Sequence, residues 1–229
     1  MSKTLCIIPA RGGSKRFPGK NTAIFNGKPL VTHAIEVGQA CGIFDKVCVS
    51  SDDGAVLSIA REHAVEFVHE RPENLAGDTV PLKALCLHLL QECASKGDDY
   101  DTFALLIPVS PFRTADDITA AHDLLQPEDV DTVMSVVRYA YPPQVAQCIR
   151  DGFLQPFYGI ENMKRSQDLE PLYHHDGTII FCKTAPFLER KEFYGPRMVP
   201  YEIAAGRTVN IDEPLDLAWA EFLLTRQQR

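Results

Sequence analysis

Positive charge is in short supply in this 229-residue chain, where 23 Lys and Arg stand against 31 Asp and Glu and leave a formal charge of −8. With a pI near 5.4 the chain lacks the clustered cations that displace counterions from nucleic acid, so no nucleic-acid partner is expected. Any anion must be held locally. Cys-x-x-Cys pairs are also missing. The seven cysteines (Cys6, Cys41, Cys48, Cys86, Cys93, Cys148 and Cys182) are odd in number and scattered through apolar stretches, which reads as reduced core residues, not a thiolate metal or redox motif. Met1-Ser2-Lys3-Thr4 runs straight into a short apolar segment and then the polar Arg11, without a signal-peptide core or a membrane-spanning run. A cytoplasmic protein with no membrane partner is expected. Internal repeats and low-complexity tracts are absent too.

What is present is 45% hydrophobic and 24% charged, enough for one α/β domain spanning 1–229 with a core and a small inserted lobe. Leu5-Cys6-Ile7-Ile8, closed by Pro9, reads as a strand buried on both faces. Pro29 opens a helical pattern that Gly42 stops. Val47 to Ser50 is the second strand, Asp52 or Asp53 can cap the helix through Arg61, and Val65 to Val68 is the third strand. A helix from Pro81 to Ala94, a strand from Phe103 to Ile107, a helix from Asp116 to Leu125 and a strand from Thr132 to Val137 continue the alternation. Such alternation implies crossover connections, a mostly parallel sheet with helices on both faces, and a ligand beyond the carboxyl ends of the strands. From Tyr139 to Leu172 the pattern breaks into short Pro- and aromatic-rich pieces, an excursion from the sheet. Thr178 to Phe181 is a returning strand, and Pro214 to Leu224 a terminal helix with Asp212 just before it.

The segment from Ile7 to Asn21 carries the chemistry. It sets Gly12, Gly13, Ser14 and four cations, Arg11, Lys15, Arg16 and Lys20, directly after the first strand of an otherwise acidic chain. Glycines let backbone N–H groups approach an anion, and the cations neutralise phosphates, so a triphosphate is expected along Ala10 to Asn21. The spacing fits neither a Walker A loop nor the dinucleotide Gly-x-Gly-x-x-Gly pattern.

Ile8 to Asn21 resembles the N-terminal signature of the acylneuraminate cytidylyltransferases (CMP-sialic acid synthetases), a family that includes the bacterial pseudaminic and legionaminic acid enzymes. Four further matches follow in order: Ser51-Asp52-Asp53; Arg71-Pro72-Glu73-Asn74-Leu75-Ala76 with Asp78-Thr79; Ser110-Pro111-Phe112-Arg113; and Asn210-Ile211-Asp212. The resemblance implies a Rossmann-like nucleotidyltransferase sheet and transfer of CMP from CTP to the anomeric hydroxyl of a nonulosonic acid. It also implies that Arg11, Ser14, Lys15, Lys20, Asn21 and Arg71 hold CTP, with Arg11, Lys20 and Asp212 carrying the catalysis. Read without it, Arg71 is equally an exposed arginine paired with Glu70 or Glu73, and Asp212 a helix cap before Pro214.

Phosphoryl transfer of this kind needs positioning and charge neutralisation, with Mg²⁺ as the expected cofactor. Asp212 is similar to the second Asp of the family's Asp-x-Asp pair, while Asn210 replaces the first, a weaker hard-cation ligand. For the sugar, Arg165 is the candidate for the carboxylate, with Gln167, Tyr173 and His175 as polar contacts; His174-His175 reads equally as a pair satisfying loop carbonyls. Ile107 stands where sialic-acid enzymes usually carry a glutamine, so the pocket is expected to face a methyl or deoxy position. The 3-deoxy-manno-octulosonate cytidylyltransferases, and an idle homologue that binds CTP or a CMP-sugar, are the competing readings. A homodimer formed through the excursion is the expected assembly, since that segment exposes more apolar surface than a small lobe covers.

Overall fold

A computed structural model describes residues 2–227. Along the chain the strands and helices are β1 (Thr4–Pro9), β2 (Ile24–Phe25), β3 (Lys28–Pro29), α1 (Leu30–Ala40), β4 (Lys46–Ser51), α2 (Gly54–Glu62), β5 (Phe67–Glu70), α3 (Glu73–Ala76) and α4 (Leu82–Ser95). There follow β6 (Thr102–Leu105), α5 (Ala115–Leu124), β7 (Thr132–Arg138), β8 (Gln147–Arg150), β9 (Phe153–Pro156), β10 (Tyr173–Lys183), α6 (Thr184–Arg190), β11 (Met198–Glu202) and α7 (Pro214–Gln227). The main sheet has seven strands in the order β11-β7-β10-β6-β1-β4-β5, with β10 antiparallel to both neighbours and the other pairs parallel. This is the mixed α/β, mostly parallel architecture that the alternation implies.

Every residue of β1 is buried, because successive side chains serve opposite faces of a sheet covered on both sides. Cys6 and Ile8 pack with α1, α2 and α5 through Val31, Ile35, Val56 and Ile118. Leu5 and Ile7 face the other way, against Leu85 and Leu89 of α4 and Phe187 of α6. A third cluster joins Phe25, Leu30 and Val109 to Val209, Ile211 and Ala220, and so fastens α7 and the segment before it to the carboxyl end of the sheet. All seven cysteines are free thiols, five of them buried. Among the described residues no helix is long and apolar enough to cross a membrane.

The expected elements shift in places for identifiable reasons. The third strand is Phe67–Glu70, not Val65–Val68, because Ala64 turns at φ 52° and Val65 N–H returns to Ala60 O at 3.0 Å, closing α2. Several elements, α3 and α6 among them, escape a periodicity reading. β11 holds Pro200 and alternates weakly, which an edge strand tolerates, and β2–β3 are two residues each across Asn26-Gly27, both at positive φ. The excursion contains the separate β8–β9 hairpin and three short 3₁₀ turns, and leaves Ile149, Phe153, Leu154 and Ile160 between 64% and 76% exposed.

β10 is longer than the expected Thr178–Phe181 and bends at a register shift between His175 and Ile180, where Gly177 takes φ 78°. The bend buries Asp176 at 4% exposure, and among the described residues no Lys or Arg pairs with it. Its carboxylate instead accepts bonds from Ser135 Oγ, Thr178 N (3.2 Å), Thr178 Oγ1 (2.6 Å) and Thr208 Oγ1 (2.9 Å), tying β7, β10 and the C-terminal segment together. Burial opposes ionisation, but the bonds from Ser135, Thr178 and Thr208 outweigh it and hold the carboxyl below its ordinary value.

A depressed folded value means that Asp176 stabilises the fold fully above the unfolded carboxyl value of about 3.9, and that this contribution is lost as pH falls through the folded value. Asp176→Asn, whose amide accepts fewer of these bonds, is expected to destabilise by about 1–3 kcal/mol at pH 7. Calorimetric melts across pH test this: the gap between the two proteins should close below about pH 4.

Candidate active site

The carboxyl ends of β1, β4, β5 and β6 lie along one edge of the sheet, and the loop after β1 is pinned there by side chains. Ala10 N–H donates to Ser50 O at 2.9 Å, and Ser51 Oγ donates to Ala10 O at 2.5 Å. Asn21 Nδ2 holds Arg11 O at 2.9 Å, and Gly12 N–H donates to Asp52 Oδ1 at 2.8 Å. Asp53, not Asp52, caps α2, accepting from Ala55 N–H at 2.8 Å. Gly12 is required by space, since a Cβ there would lie 3.0 Å from Asp53 Cβ. The Ser51-Asp52-Asp53 motif is thus one device that clamps the loop and starts the helix.

The loop borders a cavity of about 250 Å³ lined by Arg11, Ser14, Lys20, Asn21 and Arg71, with Ile107 and Val109 on its apolar side. Arg71 lies inside it, unlike an exposed arginine paired with Glu70 or Glu73. It is 6% exposed and donates from Nε to Ser50 Oγ at 3.2 Å and from Nη2 to Ser50 O at 2.9 Å. Among the described residues it has no carboxylate partner, and burial pulls its pKa down. A buried cation held by neutral acceptors is poised for an anion.

The loop cations are occupied by two distant carboxylates. Asp78 takes Arg11 and, at 2.5 Å, Lys15. Asp212 takes Lys20 at 2.8 Å and Arg16 at 3.0 Å. Bonds from Lys15 and Arg11 lower the Asp78 pKa; partial burial opposes the same shift at Asp212, where Lys20 and Arg16 prevail. Among the described residues the Asp212 carboxylate meets Lys20 and Arg16 and accepts no N–H of the first turn of α7, so it does not act as the cap; Asp216 Oδ2 receives the N–H groups of Asp212 (2.9 Å) and Glu213 (2.8 Å) just before the helix. Gly13 lies in the loop without lining the cavity, and Lys15 and Arg16 extend to solvent.

A second cavity, of about 330 Å³, is lined by Arg138, His174, His175, Asp176, Thr208 and Asn210. The two cavities approach each other at Gly177, where a built Cβ would lie 3.8 Å from Ile107 Cδ1 and 4.0 Å from Asn210 Oδ1. Arg113, buried and lowered to a pKa of about 10 by desolvation, braces this junction by donating to Thr178 O and Ile107 O.

Of the sugar candidates, His175 lines this second cavity, yet its Nδ1 is within 3.0 Å of Ser135 O, and His174 Nδ1 is 3.1 Å from His175 O. Both rings thus meet backbone carbonyls, but those of the strands β7 and β10, not of a loop. Arg165 is exposed on a turn and paired with Asp168 at 2.8 Å, and Gln167 and Tyr173 are also exposed. None of these three lines either cavity. Arg138, which sequence reasoning passed over, does line the second; its only sequence signal is a cation closing an apolar strand.

A cytidylyltransferase family model matches residues 5–213. The chain is 31% identical over 222 residues to a pseudaminic acid cytidylyltransferase of Campylobacter jejuni, covering 96% of both. It is 29% identical over 235 residues to a CMP-N,N'-diacetyllegionaminic acid synthase of Legionella pneumophila, covering 99% of this chain and 98% of that one. An N-acylneuraminate cytidylyltransferase of Escherichia coli is 32% identical over 229 residues, and the chain spans about half of its length, 53%. Among solved structures, a CMP:2-keto-3-deoxy-manno-octonic acid synthetase complexed with CTP superposes with a TM-score of 0.71 at 18% identity, covering 99% of this chain and all of that one, a likeness of fold.

The clasp on Arg11 and Lys15 makes one expectation measurable. Asp78→Asn removes the carboxylate that competes for these cations, so inorganic triphosphate should bind several-fold more tightly in calorimetric titration. The gain should shrink as salt is added, because both pairs are partly exposed.

Proposed function

This chain belongs to the cytidylyltransferase family, and on that premise we propose that it transfers CMP from CTP to the anomeric hydroxyl of a nonulosonic acid of sialic, pseudaminic or legionaminic type, releasing pyrophosphate. The observation that carries the reading is the buried, carboxylate-free Arg71 facing the same cavity as Arg11 and Lys20. The sugar oxygen forms a bond to the α-phosphorus, the bond from that phosphorus to the β-phosphate oxygen breaks, and the sugar hydroxyl loses its proton. Arg11, Lys20 and Arg71 hold the phosphates and balance the charge that builds on the leaving pyrophosphate. Ser14, Asn21 and the backbone from Ala10 to Gly13 position the nucleotide; Asn21 does so by fixing Arg11 O.

Asp212 and Asn210 offer a carboxylate and an amide oxygen, a donor pair suited to Mg²⁺, which binds few protein oxygens and completes its shell from phosphate and water. The fit is supported by the carboxylate of Asp212, whose side-chain partners are Lys20 and Arg16, both cations that phosphate can take over. Mg²⁺ there would supply charge neutralisation at the phosphates. The apolar Ile107, which like Asn210 lies close to Gly177, favours a sugar bearing a deoxy or methyl position at the junction, and Arg138 in the second cavity joins Arg165 as a candidate for the sugar carboxylate. The 3-deoxy-manno-octulosonate alternative rests on an 18% identical likeness, weaker support than the nonulosonate relatives.

Pyrophosphate release from CTP and Mg²⁺, measured across a panel of nonulosonic acids, tests the activity; CTP binding without release from any of them would favour an idle homologue. In the same assay Asp212→Asn is expected to lose turnover by about two orders of magnitude or more while staying folded, and Asn210→Asp to keep or raise it. Full turnover in Asp212→Asn would move the metal site elsewhere. The exposed Ile149, Phe153, Leu154 and Ile160 support a homodimer packed through the excursion, and sedimentation at micromolar concentration should give the mass of two chains.

A further inference from the structure

A second group of ligating side chains lies away from the nucleotide cavity, where β5 at the edge of the sheet meets α4. His69 comes from β5, and His88 and Glu92 stand one helical turn apart on α4, a spacing that puts both on one face. Their ligand atoms all lie within 4.8 Å of one another. His69 Nε2 is 3.5 Å and His88 Nε2 3.6 Å from Glu92 Oε2. Those separations are too long for ordinary N–H···O bonds, which run about 2.7–3.2 Å. They are within a few tenths of the roughly 3.3 Å between neighbouring ligands of a tetrahedral Zn²⁺ bound at about 2.0–2.1 Å.

The far side of two of these groups is already held. His69 Nδ1 is 2.9 Å from Ser50 Oγ, which orients the ring so that Nε2 faces the cluster. Glu92 Oε1 is taken by Lys96 Nζ at 2.5 Å, which leaves Oε2 for the cluster. A simple ion pair needs only Lys96 and Glu92. It gives no reason for two imidazoles to turn ring nitrogens toward the same carboxylate oxygen at distances beyond hydrogen bonding.

We propose that His69, His88 and Glu92 form a binding site for a borderline divalent metal of the Zn²⁺ class, with a fourth position left to water. The two imidazole nitrogens set it apart from the all-oxygen donors offered to Mg²⁺ by Asp212 and Asn210. The site does not depend on the proposed reaction, and it is tested without it.

The test uses the untagged chain, stripped with chelator and titrated with Co²⁺ by visible absorption and with Zn²⁺ by calorimetry. One equivalent of Zn²⁺ is expected, displacing Co²⁺ from a tetrahedral spectrum that excess Mg²⁺ leaves unchanged. His88→Ala and Glu92→Gln change partly exposed side chains of α4 and should fold as the parent does by circular dichroism, yet each should weaken Zn²⁺ binding at least tenfold. Absence of binding in the micromolar range would overturn the proposal. So would unaltered affinity in the double variant, which would put the zinc on other groups such as the cysteines.

Discussion

An acidic chain that gathers four cations into one loop must keep them from repelling one another, and this constraint organises the rest of the site. The solution is two carboxylates brought from far along the sequence, Asp78 onto Arg11 and Lys15, and Asp212 onto Lys20 and Arg16. Neither is local. Asp212 lies 192 residues beyond Lys20, and it reaches the loop because Ile211 is buried in the cluster that also holds Leu30, Val109 and Ala220. The apolar packing of α7 and the electrostatics of the loop are therefore one arrangement. On the proposed function, exchange of these carboxylates for phosphate would substitute one anion for another and keep the local charge balance intact.

Arg71 differs from the loop cations in kind. It is buried, bound to Ser50 through both its side-chain hydroxyl and its carbonyl, and without an acid. Ser50 Oγ also stands 2.9 Å from His69 Nδ1, so one hydroxyl at the end of β4 meets both Arg71 of the first cavity and the histidine cluster on the neighbouring strand. The parallel pairing of β4 with β5, which places Ser50 opposite His69, makes that shared contact possible.

The bend in β10 performs the corresponding task for the second cavity. An antiparallel strand inserted between β7 and β6 would run straight past the sheet edge, but the irregularity at Asp176-Gly177 lets the chain approach Ile107 and Asn210 closely. Glycine suits that point through its positive φ, while the neighbouring side chains leave a Cβ ordinary contact distances. The buried Asp176 then turns the bend into a junction of three segments.

Much of this was legible in the order of residues. Continuous apolar runs closed by proline marked β1 and β6, because strands buried on both faces need apolar side chains throughout. The Gly-rich cationic loop also stood out, because its composition departs so far from an acidic background. Legibility failed where a feature depends on its neighbours. The edge strand β11 carries little pattern because one side of it faces no partner, and the two-residue β2–β3 pair is too short to show a period. The single letters of Arg71 and Asp212 fit a surface pair and a helix cap as well as they fit a site. Burial beside Ser50, and the hold of Lys20 and Arg16 on the Asp212 carboxylate, set aside the surface pair and the cap, and both are contacts across the fold. The convergence of His69 with His88 and Glu92 is of the same kind. Sequence determined the layers and the phosphate loop, since both follow from local period and composition. Tertiary structure alone decided which charges face one another, because Coulomb and hydrogen-bond partners are chosen by distance in space and not along the chain.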